Sequence, residues 1–119
     1  MSKYLLLLRD DDTFPDMAPD AMQALMQRYM DWTAGLAQRG ALVGASKLTD
    51  RTGRVVRRAS GGSTVTDGPY VEGKELVGGY FVVHAASFDE AVALTRDCPH
   101  LELGSIEIRQ LEDTGGAQS

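Results

Sequence analysis

Three observations predict an α+β fold with an antiparallel sheet for this chain of 119 residues. Strand and helix patterns alternate along the sequence, in the order strand, helix, several strands, helix, strand. Closely spaced turns between the two helices favour antiparallel pairing of the strands there. The length corresponds to one domain that can bury a core, and we place that domain at residues 1–111.

The first strand and the longer helix come from the N-terminal part. Lys3 to Arg9 is a short apolar run that three aspartates stop, which is typical of a buried strand. Pro19 suits the first turn of a helix, and Gly40 is a natural end for it. Between them, apolar residues recur at steps of three and four, which predicts an amphipathic helix. These residues are Met22, Leu25, Met26, Tyr29, Trp32 and Leu36. We expect Met22, Met26 and Met30 to pack in the core.

The middle of the chain predicts a meander of antiparallel strands. Residues 41–48, 54–59 and 63–66 are short strand candidates separated by turns that contain glycine. Residues 79–85, GYFVVHA, form the clearest strand pattern of the chain. The pair Gly78-Gly79 before it is interpreted as a bulge or as a close approach of two backbones.

A second helix and a final strand are predicted in the C-terminal part. Ser87 to Glu90 has the Ser-x-x-Glu form of a capping box, and Cys98-Pro99 ends the helix that follows. Residues 104–110 alternate apolar and charged side chains, as a half-buried strand does. The tail 112–119 has no core-forming residue, and we expect it to be disordered.

This element order is the split β-α-β pattern of the ferredoxin-like fold. Two helices cover one face of such a sheet, and the sequence offers no third helix for the other face. We therefore expect a homodimer that packs sheet against sheet, with residues such as Phe81 or Val83 on the shared face.

The composition restricts the partners. A net charge of −5 and a pI near 4.9 argue against nucleic acid and anionic membranes. The local basic cluster of Arg51, Arg54, Arg57 and Arg58 is interpreted as a solvated hairpin edge. A single cysteine, Cys98, excludes an intramolecular disulfide and fits a reducing compartment. The apolar run YLLLL is too short for a signal peptide or a membrane span, so we expect a cytoplasmic protein.

The main candidate site lies in residues 66–83, TDGPYVEGKELVGGYFVV. Turn chemistry accounts for Asp67-Gly68-Pro69, because Asp caps its own turn, Gly adopts unusual φ angles and Pro is rigid. A functional interpretation adds Asp67 as a desolvated general base at a cleft, with Tyr70 lining it. Three charged residues follow, either as a solvated face or as groups that orient a polar ligand. They are Glu72, Lys74 and Glu75.

The two histidines and the cysteine are further candidates. By strand alternation, His84 shares a face with Tyr80 and Val82, either as a core or interface histidine or as a catalytic base. Cys98 and His100 lie two residues apart, but without two further ligands nearby they fall short of a zinc site. We expect Cys98 to be a core residue at a helix end. No metal site is therefore predicted. No cofactor is predicted either, and the sequence has no glycine-rich phosphate-binding loop of the Walker or Rossmann form.

Taken together, these motifs resemble the YCII-related family and, within it, the DGPF-domain branch. The matching strings are KYLLLL, RGALVG, TDGPY, KE, GGYFVV, SFDEAVALTRDCP and GSIEIRQ, in that order over residues 3–111. The resemblance implies a ferredoxin-like protomer of the dimeric α/β-barrel superfamily. Tyr70 is a departure from it, because the branch has phenylalanine at that position.

The resemblance does not imply one activity. The wider group includes small hydrolase-like or dehalogenase-like enzymes with a His–Asp pair, and DGPF proteins are associated with genes for extracytoplasmic-function sigma factors. The position of the family's histidine corresponds to Tyr29, and no histidine precedes His84. That mechanism is therefore not carried over, and Tyr29 is kept as a candidate ligand contact.

Two functional hypotheses follow. The first is a small-molecule enzyme without a cofactor, in which Asp67 acts as a base and Tyr70, Lys74 or His84 donates hydrogen bonds to a developing negative charge. The second is a non-catalytic accessory or regulatory protein that binds a metabolite in the same cleft.

Overall fold

A computed structural model describes residues 1–11, 17–49, 53–67 and 75–113 of the chain. The α+β class predicted from the sequence is confirmed. The elements in chain order are β1 Ser2–Asp11, α1 Pro19–Gln38, β2 Leu42–Lys47, β3 Arg54–Ala59, β4 Gly62–Asp67, β5 Glu75–Ala85, α2 Phe88–Thr95, a 3-10 helix Pro99–Glu102 and β6 Gly104–Leu111.

Four strands form the main sheet in the order β2-β5-β1-β6, and every neighbouring pair is antiparallel. This is the strand order of the ferredoxin-like fold that the sequence predicts. The predicted meander is wrong in one respect, because β2 pairs with β5 and not with β3. The strands β3 and β4 pair with each other in a separate two-stranded sheet. Their side chains are mostly exposed, so they have no continuous apolar face to add to the main sheet.

Every second side chain of β1 is buried beneath the helices. These are Tyr4, Leu6 and Leu8, which are 3%, 0% and 7% exposed. Phe81 lies opposite Leu6, and its ring meets the Trp32 ring edge-on at a centroid distance of 4.9 Å. Val83 follows at the same parity and is fully buried. The expectation that Phe81 or Val83 lies on the uncovered face is therefore wrong, because their register with β1 points them toward the helices.

The opposite face of the sheet is covered by no helix of the described residues. By alternation it carries Leu5 and Leu7 of β1 and Tyr80, Val82 and His84 of β5, and these five half-buried residues define the open face.

The helix α1 begins at Pro19 and is followed by Gly40, whose φ is 72°, as predicted. Its buried stripe consists of Leu25, Trp32 and Leu36. Met26 and Met30 are 49% and 60% exposed, so the expectation that they pack in the core is wrong. Successive helical residues are rotated by about 100°, which places both methionines on the flank of this narrow stripe.

The predicted cap of α2 is confirmed, since the Ser87 side chain accepts a hydrogen bond of 3.1 Å from the Glu90 N–H. The Trp32 Nε1–H donates to the Leu94 carbonyl at 3.0 Å and ties α1 to α2. Cys98 is 3% exposed and belongs to the core, as expected. Within the described parts of the chain, no helix is long and apolar enough to cross a membrane.

We predict that the two faces of α1 respond differently to truncation. Leu36→Ala is expected to lower the free energy of unfolding by about 2–5 kcal/mol, because it opens a cavity at a fully buried position. Met30→Ala is the matched control, and its effect is expected to stay within about 0.5 kcal/mol. Urea unfolding of the three proteins measures this, and a Met30→Ala effect as large as that of Leu36→Ala would contradict the assignment.

Candidate functional site

A buried histidine joins three elements where β1 ends. His100 is 3% exposed and lies in the 3-10 helix that precedes β6. Its Nδ1 is 2.8 Å from the Tyr29 hydroxyl on α1. On the other side of the ring, Nε2 is 3.0 Å from the Arg9 carbonyl oxygen and 3.3 Å from Asp10 Oδ1. We call Tyr29, His100 and Asp10 the Tyr–His–Asp cluster.

The partners of His100 assign its neutral tautomer. A carbonyl oxygen can only accept a hydrogen bond, so the ring nitrogen that faces Arg9 carries the proton. The Nδ1 lone pair is then free to accept, and the Tyr29 hydroxyl donates to it. The cluster is therefore a directed chain, in which the phenol donates to the imidazole and the imidazole donates to the Arg9 carbonyl, with Asp10 Oδ1 3.3 Å from the same ring nitrogen.

Local structure explains how each side chain reaches the cluster. Asp10 has the same strand parity as Tyr4, Leu6 and Leu8, so it leaves β1 on the face that the helices cover. Tyr29 lies between the buried positions of α1. Pro99 occupies the first turn of the 3-10 helix, where its missing N–H loses no bond, and places His100 next in the chain.

Two glycines leave room for this arrangement. A Cβ atom on Gly78 would lie 2.6 Å from Asp10 Oδ2, and a Cβ atom on Gly104 would overlap the Arg9 carbonyl oxygen. Gly78 also lies where the register of β5 against β1 shifts, which confirms the bulge interpreted from the sequence. The Arg9 carbonyl that accepts from His100, and the Asp10 carboxylate beside it, therefore each depend on a neighbouring residue without a side chain.

The surroundings keep the Tyr29 phenol protonated. Burial raises the pKa of Tyr29 most, and the charges of Cys98, Asp10 and Glu102 raise it further, while the Arg28 guanidinium opposes them. A tyrosinate is thus disfavoured, and Tyr29 acts as a hydrogen-bond donor. Burial likewise raises the pKa of the Cys98 thiol, against the lowering effect of the backbone N–H of His100, so the thiolate is disfavoured.

An ion pair between Arg28 and Glu102 lies beside the cluster and joins α1 to the 3-10 helix. The guanidinium makes two hydrogen bonds to the carboxylate, one of them at 3.1 Å. This contact raises the pKa of Arg28 and lowers the pKa of Glu102. Because both side chains are more than half exposed, solvent screens the pair and it adds little to stability.

The described residues contain no group of three or more His, Cys, Asp or Glu side chains that could hold a metal ion.

Most of the residues predicted from the TDGPY segment lie outside the cluster or outside the described residues. Asp67 ends β4 with its Cα opposite Arg54, and Glu75 begins β5 opposite Asp11. The side chains of Asp67 and Glu75 lie outside the described residues, as do three whole residues of the predicted site. Those three are Tyr70, Glu72 and Lys74. The roles proposed for all five stay predictions.

The structure does not bring His84 and Tyr29 together. His84 pairs with Lys3 and belongs to the open face, whereas Tyr29 lies on the side of the sheet that the helices cover. The predicted contact residue Tyr29 does lie in the cluster, but its partner is His100.

Sequence reasoning missed Asp10 and His100 as members of one site. The sequence does contain a sign of the role of Asp10, because Asp10 continues the two-residue spacing of the buried residues Tyr4, Leu6 and Leu8 along β1. For His100 the sequence held no comparable signal, since its hydrogen bond to Tyr29 spans 71 positions.

Residues 2–114 match the family model of the YCII-related domain. The chain belongs to the YCII-related family. An uncharacterised protein of Rhizobium meliloti (strain 1021) is 31% identical over 93 residues, which cover 76% of this chain and 69% of that protein.

A solved structure has a similar fold. It is 5-chloro-2-hydroxyhydroquinone dehydrochlorinase (TftG) from Burkholderia phenoliruptrix AC1100, in complex with 2,5-dihydroxybenzoquinone. The TM-score is 0.51 at 14% identity, over 95% of this chain and 96% of that chain. At this identity the likeness shows the fold alone.

We predict opposite effects for alanine at two strand glycines. Gly104→Ala is expected to lower the free energy of unfolding by about 1–3 kcal/mol, because the new methyl group overlaps the Arg9 carbonyl. Gly44→Ala is the control, because a Cβ atom there meets nothing within 4 Å. Alanine lowers the conformational entropy of the unfolded chain, so this variant is expected to raise the free energy of unfolding by up to about 1 kcal/mol. Thermal and urea unfolding decide this, and equal effects of the two variants would contradict it.

A further prediction concerns alkaline pH. The pKa of Tyr29 is higher in the folded chain than the ordinary value of 10.0, so above that pH the unfolded chain loses the phenolic proton first. The free energy of unfolding is therefore expected to fall as pH rises above about 10. In Tyr29→Phe the free energy of unfolding is expected to decrease less steeply with pH. Tyr80→Phe, on the open face, is expected to keep the pH dependence of the wild type. Identical pH dependence in wild type and Tyr29→Phe would contradict the buried phenol.

Proposed function

We propose that the chain binds a small molecule against Tyr29 and transfers a proton to it or from it without a cofactor. The Tyr–His–Asp cluster is the observation that supports this proposal. It is a chain of hydrogen bonds that ends on Tyr29, a half-buried residue, while the imidazole behind it is almost fully buried. A ligand therefore meets Tyr29 first, and His100 acts through it.

The proton path follows from the direction of the hydrogen bonds. Tyr29 Oη takes a proton from the ligand as it passes its own proton to His100 Nδ1, so the phenol is never a free tyrosinate. The imidazolium that results is stabilised by the Asp10 carboxylate near Nε2 and by the Arg9 carbonyl. The reverse sequence returns the proton to the ligand. General acid–base catalysis by a positioned histidine needs this geometry.

The ligand class follows from what Tyr29 offers. A hydroxyl donor beside the Arg28 guanidinium favours an acidic hydroxyl or an enol, whose negative charge grows as its proton leaves. We infer that such a compound is the substrate, and we place the chain in the DGPF branch of the family, which the string TDGPY supports.

We also propose that the open face pairs with the same face of a second copy. Leu5, Leu7 and Val82 supply a half-buried apolar centre, and no helix of the described residues covers them. Sheet-to-sheet packing would remove this surface from water.

The test uses 2,5-dihydroxybenzoquinone as the probe, because its acidic hydroxyls match the donor and the cation beside it. Isothermal titration is expected to show binding to the wild type and about tenfold weaker binding to Tyr29→Phe, since a hydrogen bond to a charged group contributes about 1.5 kcal/mol or more. Tyr80→Phe removes the same hydroxyl from the open face and is expected to bind like the wild type.

Equal affinity of wild type and Tyr29→Phe would contradict the proposed site. Exchange of the probe's ring proton with deuterated solvent, followed by NMR, separates enzyme from binding protein. His100→Gln is expected to retain binding and lose catalysed exchange. If the wild type binds without accelerating exchange, the regulatory interpretation is favoured over catalysis.

A further inference from the structure

The hairpin of β3 and β4, residues 54–67, stands apart from the rest of the protomer, and we call it the arm. Its two strands pair with each other and join no other strand of the described residues. No other described element packs against it beyond isolated contacts. Two-stranded hairpins on their own are at best marginally stable in water. The arm therefore needs a surface that the described part of its own protomer does not supply.

One face of the arm has the form of a docking surface. Val56 and Val65 lie directly opposite each other and are 64% and 60% exposed. By alternation and pairing, the same face carries Arg54 opposite Asp67 on one side of the valine pair and Arg58 opposite Ser63 on the other. An exposed apolar pair with arginine at its rim has the composition that protein interfaces favour.

The charges of the chain are divided between the arm and the body. Residues 53–67 carry three arginines and one aspartate, whereas residues 1–11, 17–49 and 75–113 together carry twelve acidic and seven basic side chains. The body is thus complementary in charge to the arm. Two arms would repel each other, and an overall net charge of −5 opposes binding to nucleic acid.

We propose that the arm of one protomer packs its Val56–Val65 face against the acidic body of a second copy of this chain. The valines lose their exposed area in that contact, and the arginines beside them meet carboxylates. A reciprocal exchange of two arms satisfies both protomers at once, as closed two-fold symmetry requires. This contact is separate from the Tyr–His–Asp cluster and from the open face, so an unchanged dissociation constant in the arm variants overturns it without bearing on ligand binding at Tyr29.

The first experiment measures the dissociation constant of the dimer by sedimentation equilibrium. Val56→Ser with Val65→Ser is expected to raise the constant about tenfold or more, because two apolar side chains no longer leave water. Met30→Ser is the matched control, since Met30 is equally exposed on α1, and it is expected to leave the constant unchanged. At concentrations where the wild type is also monomeric, the double variant is expected to unfold at the wild-type temperature, because the arm adds little to the core of its own protomer.

Charge and exchange measurements complete the test. Arg54→Glu with Arg58→Glu is expected to weaken the dimer and to reduce its dependence on salt. Amide hydrogen exchange of the wild-type arm is expected to slow as protein concentration rises. The proposal is overturned if the dissociation constant is unchanged in both arm variants, or if amide exchange in the arm is fast at every protein concentration. It is also overturned if the wild type is a monomer throughout, or if the arm binds duplex DNA.

Discussion

The antiparallel pairing of β1 on both of its edges is the constraint on which the rest of the structure depends. Because β1 lies between β5 and β6, its alternation sets which side chains of three strands face the helices. The same parity that buries Leu6 also directs Asp10 toward the helix layer at the end of the strand. A shift of one residue in this pairing would expose the core and move Asp10 to the open face, so stability and the candidate site share one cause.

His100 shows how a polar group is accommodated in such a core. A buried imidazole without partners would be strongly destabilising, but both of its ring nitrogens lie within hydrogen-bond distance of partners from two other elements. These bonds hold α1, the end of β1 and the 3-10 helix together. Gly78 and Gly104 contribute by leaving space for the Asp10 carboxylate beside the ring and for the Arg9 carbonyl that accepts from it. A cluster held this firmly is suited to proton transfer, because little reorganisation is needed when a proton moves.

The arm and the body follow different physical rules. The body is stabilised by a shared core in which Trp32, Leu36 and Val83 are buried against one another. The arm has strand pairing but no core, and Val56, Val65 and the three arginines are exposed in the protomer. Its sequence is therefore better explained by an interface than by the stability of the isolated chain.

Much of the fold follows from the sequence alone, because strand alternation, helical periodicity, the Ser87 cap and Gly40 are local patterns that act within a few residues. The family follows from the order of motifs along the chain. Only the tertiary structure decided which sheet face is covered, so it packed Phe81 against the core and left Met30 exposed. It also decided the candidate site, since Tyr29 and His100 are 71 positions apart. Local patterns do not encode a contact that depends on how α1 and the 3-10 helix pack across the end of one strand.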